Sequence, residues 1–336
     1  MSDQESSPAH DLSADGDVLE RVTQVAQSAL RLYDLDENAS VELLNVSENA
    51  TFRVNIEGGP PQVLRVHRRD YHSPEAIESE LDWMEALRRD TGTRTPTVIR
   101  SRDHKRVVGL ADPSGGPSRS VVMFEFIPGS EPANEDAKAF EQLGEITAVM
   151  HQHSRTWQRP PGFTRFTWDM DTAFGPTPRW GRWQNGIGVG PSELEVLGRL
   201  EVTLRRRLQK FGTAPERFGL VHADTRLANL LIDDGTVSVI DFDDSGLSWF
   251  LYDLGTSVSF FEHRPQVPEL LDAWMTGYRR KGVLTKEEQD EIWTFVLFRR
   301  LLLVAWIGSH SAERELGSPY TQQSCDLAED YMTKFA

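Results

Sequence analysis

Between Phe218 and Asp244 the chain reads FGLVHADTRLANLLIDDGTVSVIDFDD. Two short β-rich runs, Leu230–Ile232 and Val237–Ile240, flank Asp233-Asp234-Gly235-Thr236, and Asp-Gly between such runs is hairpin turn chemistry. Closing the hairpin there sets Ile232 opposite Val237 and, counting back, Asn229 opposite Ile240. Asn229 and Asp241 then stand side by side at the open end, and Asp224, five residues before Asn229, lies in the loop that feeds it. Two carboxylates and an amide oxygen at one point suit a hard divalent cation, which takes oxygen ligands.

The spacing also fits phosphoryl transfer. One acid orients and deprotonates an attacking hydroxyl, while an Asn and a second acid hold metal ions that bridge the phosphates. His222-Ala-Asp224-Thr-Arg-Leu-Ala-Asn229, followed by Ile240-Asp241-Phe242, resembles the catalytic and metal loops of kinase-like phosphotransferases. The pattern is similar to that of the aminoglycoside phosphotransferase / choline kinase / homoserine kinase superfamily, in the bacterial branch that contains stress-response kinase A. That family reads H-G-D-x-H-x-x-N; here Ala223 replaces the Gly and Arg226 the His. A plain solvated loop is the bland alternative. The D-x-D of haloacid-dehalogenase phosphatases is a chemical rival, but it needs a doubly wound domain around its first strand, and the 95 residues after Asp241 read mostly as helix.

Composition sets outer bounds. A chain of 336 residues with 38% hydrophobic content buries an ample core as two domains or one two-lobed unit. A net charge of −16 argues against nucleic acid as a partner. A cationic substrate and a salty cytoplasm are both open as causes of that acidity. The single cysteine, Cys325, fits a reducing compartment, and the acidic start has no apolar segment of a signal peptide. The run Leu301–Gly308 is too short to span a membrane. These features point to a cytoplasmic protein with no membrane partner, and they do not set its oligomeric state.

Residues 1–16 form an acidic tail expected to be disordered, and Val18 to Leu32 has helical spacing. Residues 41–67 read as strands. The resemblance makes them the nucleotide-facing strands of an N-terminal lobe, with Asn45–Thr51 covering phosphates through Ser47 and Asn49; a polar hairpin turn is the equal alternative for that loop. Strand alternation puts Val63 and Arg65 on one face, opposite Leu64 and Val66. In the family a small residue lies over adenine and a Lys two residues on reaches the phosphates; Val63 matches the first, and Arg65 stands for the Lys. A helix starting at Ser73-Pro74 carries Glu80 on the apolar face of Ile77, Leu81, Met84 and Leu87. An inward carboxylate needs a partner, and Arg65 is the natural one; solvent at the stripe's edge is the alternative. Residues 105–127 suggest a hairpin ending at Pro128-Gly129. The resemblance places the adenine-binding backbone at Glu125 to Ile127.

Beyond that break, Asn134 to Trp157, Ser192 to Phe211, 267–282 and 287–309 have helical period. His151 and His153 point apart on a helix, so they are read as structural or surface residues rather than as metal ligands. Residues 159–190 hold Phe163, Phe166, Trp168, Phe174, Trp180 and Trp183, either as packed cover or as the wall of an acceptor pocket. Asp253 resembles the family's Asp that braces the catalytic loop backbone, and His222 is read as structural with it.

The resemblance therefore implies an α+β fold of protein-kinase-like, bilobal form. An antiparallel β N-terminal lobe (17–128) would be followed by a mainly helical C-terminal lobe (129–336), with ATP and Mg²⁺ in the cleft. Asp224 would orient the acceptor hydroxyl, Arg226 would neutralise charge on the transferring phosphoryl group or else pair with a surface acid, and Asn229 and Asp241 would hold metal. Arg65, set by Glu80, would hold phosphate. The acceptor expected first is a small hydroxylated metabolite or antibiotic bearing an amine. A protein serine or threonine comes second, and a nucleotide-binding regulator without transfer activity third.

Overall fold

The computed structural model describes residues 16–46, 49–112, 115–133, 135–309 and 316–334. The acidic tail before residue 16, and Ser47 in the loop expected to cover phosphates, lie outside the described residues.

Helix α1 (Gly16–Ala29) buries Val22, Val25 and Ala29 and tightens into a 3₁₀ turn at Leu30–Leu32, so the regular helix stops short of Leu32. Strands β1 (Ser40–Val46), β2 (Ala50–Asn55), β3 (Gln62–Val66), β4 (Val98–Ile99), β5 (Val108–Leu110) and β6 (Arg119–Glu125) form one antiparallel sheet. Its order is β1-β2-β3-β6-β4, with β5 also on β6. Period-2 alternation gives this sheet two different faces. Phe52, Val54, Leu64, Val66, Val121 and Met123 pack with α1 in one core. Val122 and Phe124 belong instead to the larger core that includes helix α2 (Pro74–Thr91). Ser73 caps α2 by accepting a hydrogen bond from Ala76 N, Pro74 opens the helix, and Gly92 closes it at φ +74°.

The expected 105–127 hairpin is present as the antiparallel pair β5 and β6, with a shorter first arm. Pairing on that side starts only at Val108, and Arg106 is drawn out of it by Glu78, Asp82 and Glu85 of α2. The main partner of β6 is β3, and β4 was not foreseen, being two residues long.

Gly129, at φ +135°, starts the C-terminal region. A Cβ there would stand 3.1 Å from the Ile232 backbone, so only glycine lets Ser130 exchange both backbone hydrogen bonds with Ile232. The helices of this region are α3 (Ala137–Thr156), α4 (Met170–Phe174), α5 (Pro191–Phe211), α6 (Phe250–Ser257), α7 (Val267–Tyr278), α8 (Lys286–Asp290), α9 (Ile292–Ser309) and α10 (Gly317–Thr333). Helix α9 is 18 residues long and apolar enough, by composition, to cross a bilayer. It is instead the buried centre of this lobe, and Arg299 and Arg300 are buried within it.

Strands β7 (Phe218–Val221) and β10 (Gly246–Trp249) pair with each other, and β8 (Leu230–Asp233) pairs with β9 (Thr236–Val239). The β8–β9 register is the expected one: Ile232 faces Val237, and Ile240 N donates to Asn229 O at 2.9 Å. Asp234 and Gly235 both take positive φ, +45° and +77°, the mirror-image turn whose twist matches a two-residue hairpin.

Candidate active site

A cleft of about 790 Å³ lies between the sheet and the helical region, and Asp224, Asn229, Asp241, Arg65, Glu80, Val63, Asn49, Glu125 and Ile127 all line it. That volume is at the upper end of what small-molecule sites enclose.

Local chemistry sets the loop that carries Asp224. Ala223, the residue between His222 and Asp224, sits at φ +67°, the left-handed region in which glycine is at ease. Asp253 of α6 holds the strained turn from below, accepting from His222 N at 3.2 Å and Ala223 N at 2.6 Å. Thr225 Oγ1 donates to Asp253 O at 2.6 Å, and His151 Nε2 is 2.9 Å from Asp253 Oδ2. His222 Nε2 reaches Ile240 O at 3.0 Å, tying the loop to the strand that leads to Asp241. Asp253, His151 and His222 are thus buried bracing groups, and His153 is committed to Asp90 at 3.0 Å.

Asp224 is the most heavily coordinated group in the cleft. Arg299 Nη2 donates to its Oδ1 at 2.7 Å, Asn229 Nδ2 to its Oδ2 at 2.8 Å, and Arg226 Nε stands 3.2 Å from both oxygens. Burial works to raise this carboxyl, but Arg226, Arg299 and the Asn229 hydrogen bond overcome it and hold Asp224 below the usual carboxylate range. Asn229 Nδ2 also donates to Asp224 O at 2.7 Å, so its amide oxygen is left for the cleft. Asp241, at φ +61°, behaves oppositely. Desolvation in the cleft and the charges of Asp243 and Asp224 push its carboxyl up to about 7. Half of its side chain remains open, so the crowding of acids is the part that matters. A carboxylate raised by its neighbours beside a free amide oxygen is a donor set that a divalent cation relieves.

Arg65 Nη2 bonds Glu80 Oε1 at 2.7 Å, and Glu80 is wholly buried. Asn49 Oδ1 accepts from Arg68 N at 3.0 Å, so that side chain braces the base of its loop. Arg226 lies in the cleft with a third of its side chain exposed, its guanidinium 5.5 Å from the Phe260 ring.

Of the six aromatic residues singled out between 159 and 190, Trp180 lines the cleft. Trp168 and Trp183 are buried in the core, and Phe163, Phe166 and Phe174 pack against it. Trp180 meets Trp306 of α9 at 6.5 Å, and Trp306 meets Phe260 at 5.8 Å. Phe260 is held at φ +75°, a costly conformation for a bulky residue, and such strain gathers at working sites. Tyr71 donates to Asp244 Oδ1 at 2.6 Å beside this aromatic wall, and Trp180 Nε1 to Tyr71 at 3.3 Å.

Sequence reasoning missed Arg299, Trp306, Phe260 and Asp244. A signal existed for the first: two arginines inside an apolar helical run must be buried and paired. Arg300 bonds Glu262, and Arg299 bonds Asp224.

Residues 41–291 match the family model described as the phosphotransferase enzyme family. The fold superposes on the structure of a microcompartment-associated aminopropanol kinase with a TM-score of 0.87 at 48% identity, covering 93% of this chain and 98% of that one. Amicoumacin kinase from Bacillus subtilis (strain 168) is 24% identical over 282 residues, 82% of this chain and 80% of the relative. An amicoumacin kinase in complex with AMP-PNP, Ca²⁺ and Ami has the same fold, with a TM-score of 0.75 at 22% identity over 93% of this chain and 96% of that one. The chain is an enzyme of the α+β, kinase-like class and belongs to the phosphotransferase enzyme family.

Proposed function

We propose that the protein is an ATP- and Mg²⁺-dependent kinase that transfers the γ-phosphate to the hydroxyl of a compact amino alcohol. The observation that carries this reading is the meeting, in one cleft, of the Asp224-Asn229-Asp241 set with a wall of three aromatic residues, Trp180, Phe260 and Trp306. The similarity to an aminopropanol kinase along nearly the whole chain supports it. A wall of Trp180, Trp306 and Phe260 suits a short apolar skeleton; Arg299 and Arg226 already stand over the Trp180 and Phe260 rings, so the ammonium of such an acceptor would meet Trp306. A protein acceptor has no comparable support, and the complete acid–Asn–acid set speaks against a regulator without transfer activity.

Each side chain has a role in this reading. Bound Mg²⁺-ATP supplies the phosphoryl group and the cationic charge that offsets its oxygens. The Asn229 amide oxygen and Asp241 would hold the metal. Arg65 would contact phosphate, and Val63, the loop at Ser47 and Asn49, and the backbone from Glu125 to Ile127 would hold the nucleotide. Asp224 accepts the hydroxyl's hydrogen bond and takes its proton late, because a carboxylate kept below the ordinary range is a weak base. Its chief contribution is orientation. Arg226, bonded through Nε to both oxygens of Asp224, would turn toward the transferring phosphoryl group.

The test is ADP formation across a panel of C2 to C4 amino alcohols, choline, an aminoglycoside, an amicoumacin-type antibiotic and casein. A C3 or C4 amino alcohol is expected to give the highest kcat/KM. Preference for the aminoglycoside or for casein over every amino alcohol overturns the reading.

A further inference from the structure

The family places a lysine where this chain has Arg65, and the two side chains pose different problems. An ammonium is a point charge with three rotatable donors, so one carboxylate partner suffices to aim it. A guanidinium is a planar fork, and a single bond to a carboxylate leaves its plane free to turn about that bond. The Glu80 contact here is of that single kind: Arg65 Nη2 bonds Oε1, while Oε2 is buried without a hydrogen bond. A second anchor is present. Arg65 Nε donates to His67 Nε2 at 3.2 Å, His67 following directly on the last residue of β3. Phe124 lies against the guanidinium at 5.3 Å from its ring centre. With Nε and Nη2 both committed, Nη1 lies 4.0 Å from Asp241 Oδ1, at the end of the cleft that holds the metal-binding oxygens.

His67 is buried and its backbone is held on both sides: the main-chain N–H donates to Ser120 O at 2.9 Å, and the carbonyl accepts from Arg119 Nη1 at 3.4 Å. An Nε2 that accepts from Arg65 leaves the proton on Nδ1, and Nδ1 faces Asp243 Oδ1 at 3.6 Å. Burial, reinforced by Arg65, keeps the imidazole neutral, as an accepting nitrogen must be. We propose that His67 is a positioning residue for the phosphate-binding guanidinium, supplying the second anchor that an arginine needs and a lysine would not.

The proposal rests on the reading of Arg65 as a phosphate contact, and the test separates the two. Nucleotide affinity is measured by calorimetry with Mg²⁺-AMP-PNP, and kcat and KM by ADP release, for His67→Leu, His67→Gln, Arg65→Lys, Arg65→Met and the double variant Arg65→Lys/His67→Leu. His67→Leu is expected to raise Kd and the KM for ATP about tenfold, the worth of a hydrogen bond to a charged group, with the acceptor KM unchanged. His67→Gln, whose amide oxygen replaces Nε2 as acceptor, should restore most of that affinity. In the Arg65→Lys background His67→Leu should cost less than about twofold, since neighbouring sites reveal their coupling as non-additivity. An equal loss in both backgrounds makes His67 merely structural and overturns the proposal. Wild-type affinity in Arg65→Met overturns the phosphate reading instead. Nitrogen NMR of the free protein decides independently of folding defects in the variants: His67 must show an unprotonated Nε2, and a protonated Nε2 refutes the bond.

Discussion

Replacing Arg299 by Leu removes the buried cation that pins Asp224. The side chains pair at 2.7 Å, with 3% of the arginine and 12% of the aspartate exposed. Breaking a buried pair costs about 3–5 kcal/mol when the remaining charge is left alone. Asp224 would still keep Asn229 and Arg226, so about 2 kcal/mol is the reasonable share, worth roughly 3 °C in melting temperature for a chain of this size. The catalytic effect should be larger in kcat than in KM for ATP. An acid that wanders from its line to the hydroxyl loses about 10–100-fold in rate, while the nucleotide contacts stay in place.

The pH dependence has a definite sign. Asp224 is depressed in the folded state by Arg226 and Arg299 acting against burial, so its pairing stabilises the fold above the ordinary aspartate range and is lost as pH falls through the folded value. The stability gap between wild type and Arg299→Leu should therefore be full at neutral pH and narrow in acid. The acidic limb of the kcat profile should move toward neutrality in the variant. Melting curves between pH 3 and 8 and steady-state rates over the same range measure both. A variant with unchanged kcat, or with a stability gap that does not depend on pH, would show that Arg299 is only packing.

Other outcomes follow from the same geometry. Asp224→Asn should lower kcat by about 10²–10⁴-fold with nucleotide Kd retained, whereas Asp241→Ala should weaken Mg²⁺-nucleotide binding itself; calorimetry that finds equal losses of affinity contradicts the roles given to the two acids. Arg226→Gln should lower kcat with little change in KM for ATP, the mark of an interaction made in the transition state, and an unchanged kcat removes Arg226 from the mechanism. Trp306→Ala should raise the acceptor KM about tenfold through loss of a cation–π face, leaving KM for ATP alone; a change confined to ATP would contradict the role given to the aromatic wall.

What could be read beforehand was what local chemistry dictates. The Asp233–Thr236 turn admits one hairpin, and its register brings Asn229 beside Asp241 with no help from the rest of the chain. Glu80 was legible because a carboxylate on an apolar helical face must find a cation, and alternation on β3 left Arg65 facing it. The aromatic end of the cleft is different, because its parts come from distant segments. Arg299 meets Asp224 across 75 residues and Tyr71 meets Asp244 across 173. No period or turn signal relates such pairs. Among the aromatic residues after 159, composition could not say that Trp180 would face the cleft while Trp168, twelve residues earlier, filled the core. His67 escaped notice because its meaning depends on the arginine two residues before it. It has a function to serve only once the fork is seen bound by Glu80 through one oxygen.

The most direct measurement is ³¹P NMR of a reaction containing the protein, Mg²⁺-ATP and 1-amino-2-propanol, run beside Asp224→Asn. The expected result is a new phosphomonoester resonance, growing as ATP is converted to ADP with wild-type protein and at least about a hundredfold slower with the variant. ATP consumed without that ester, or the ester formed equally by Asp224→Asn, would contradict an Asp224-directed transfer to a small amino alcohol.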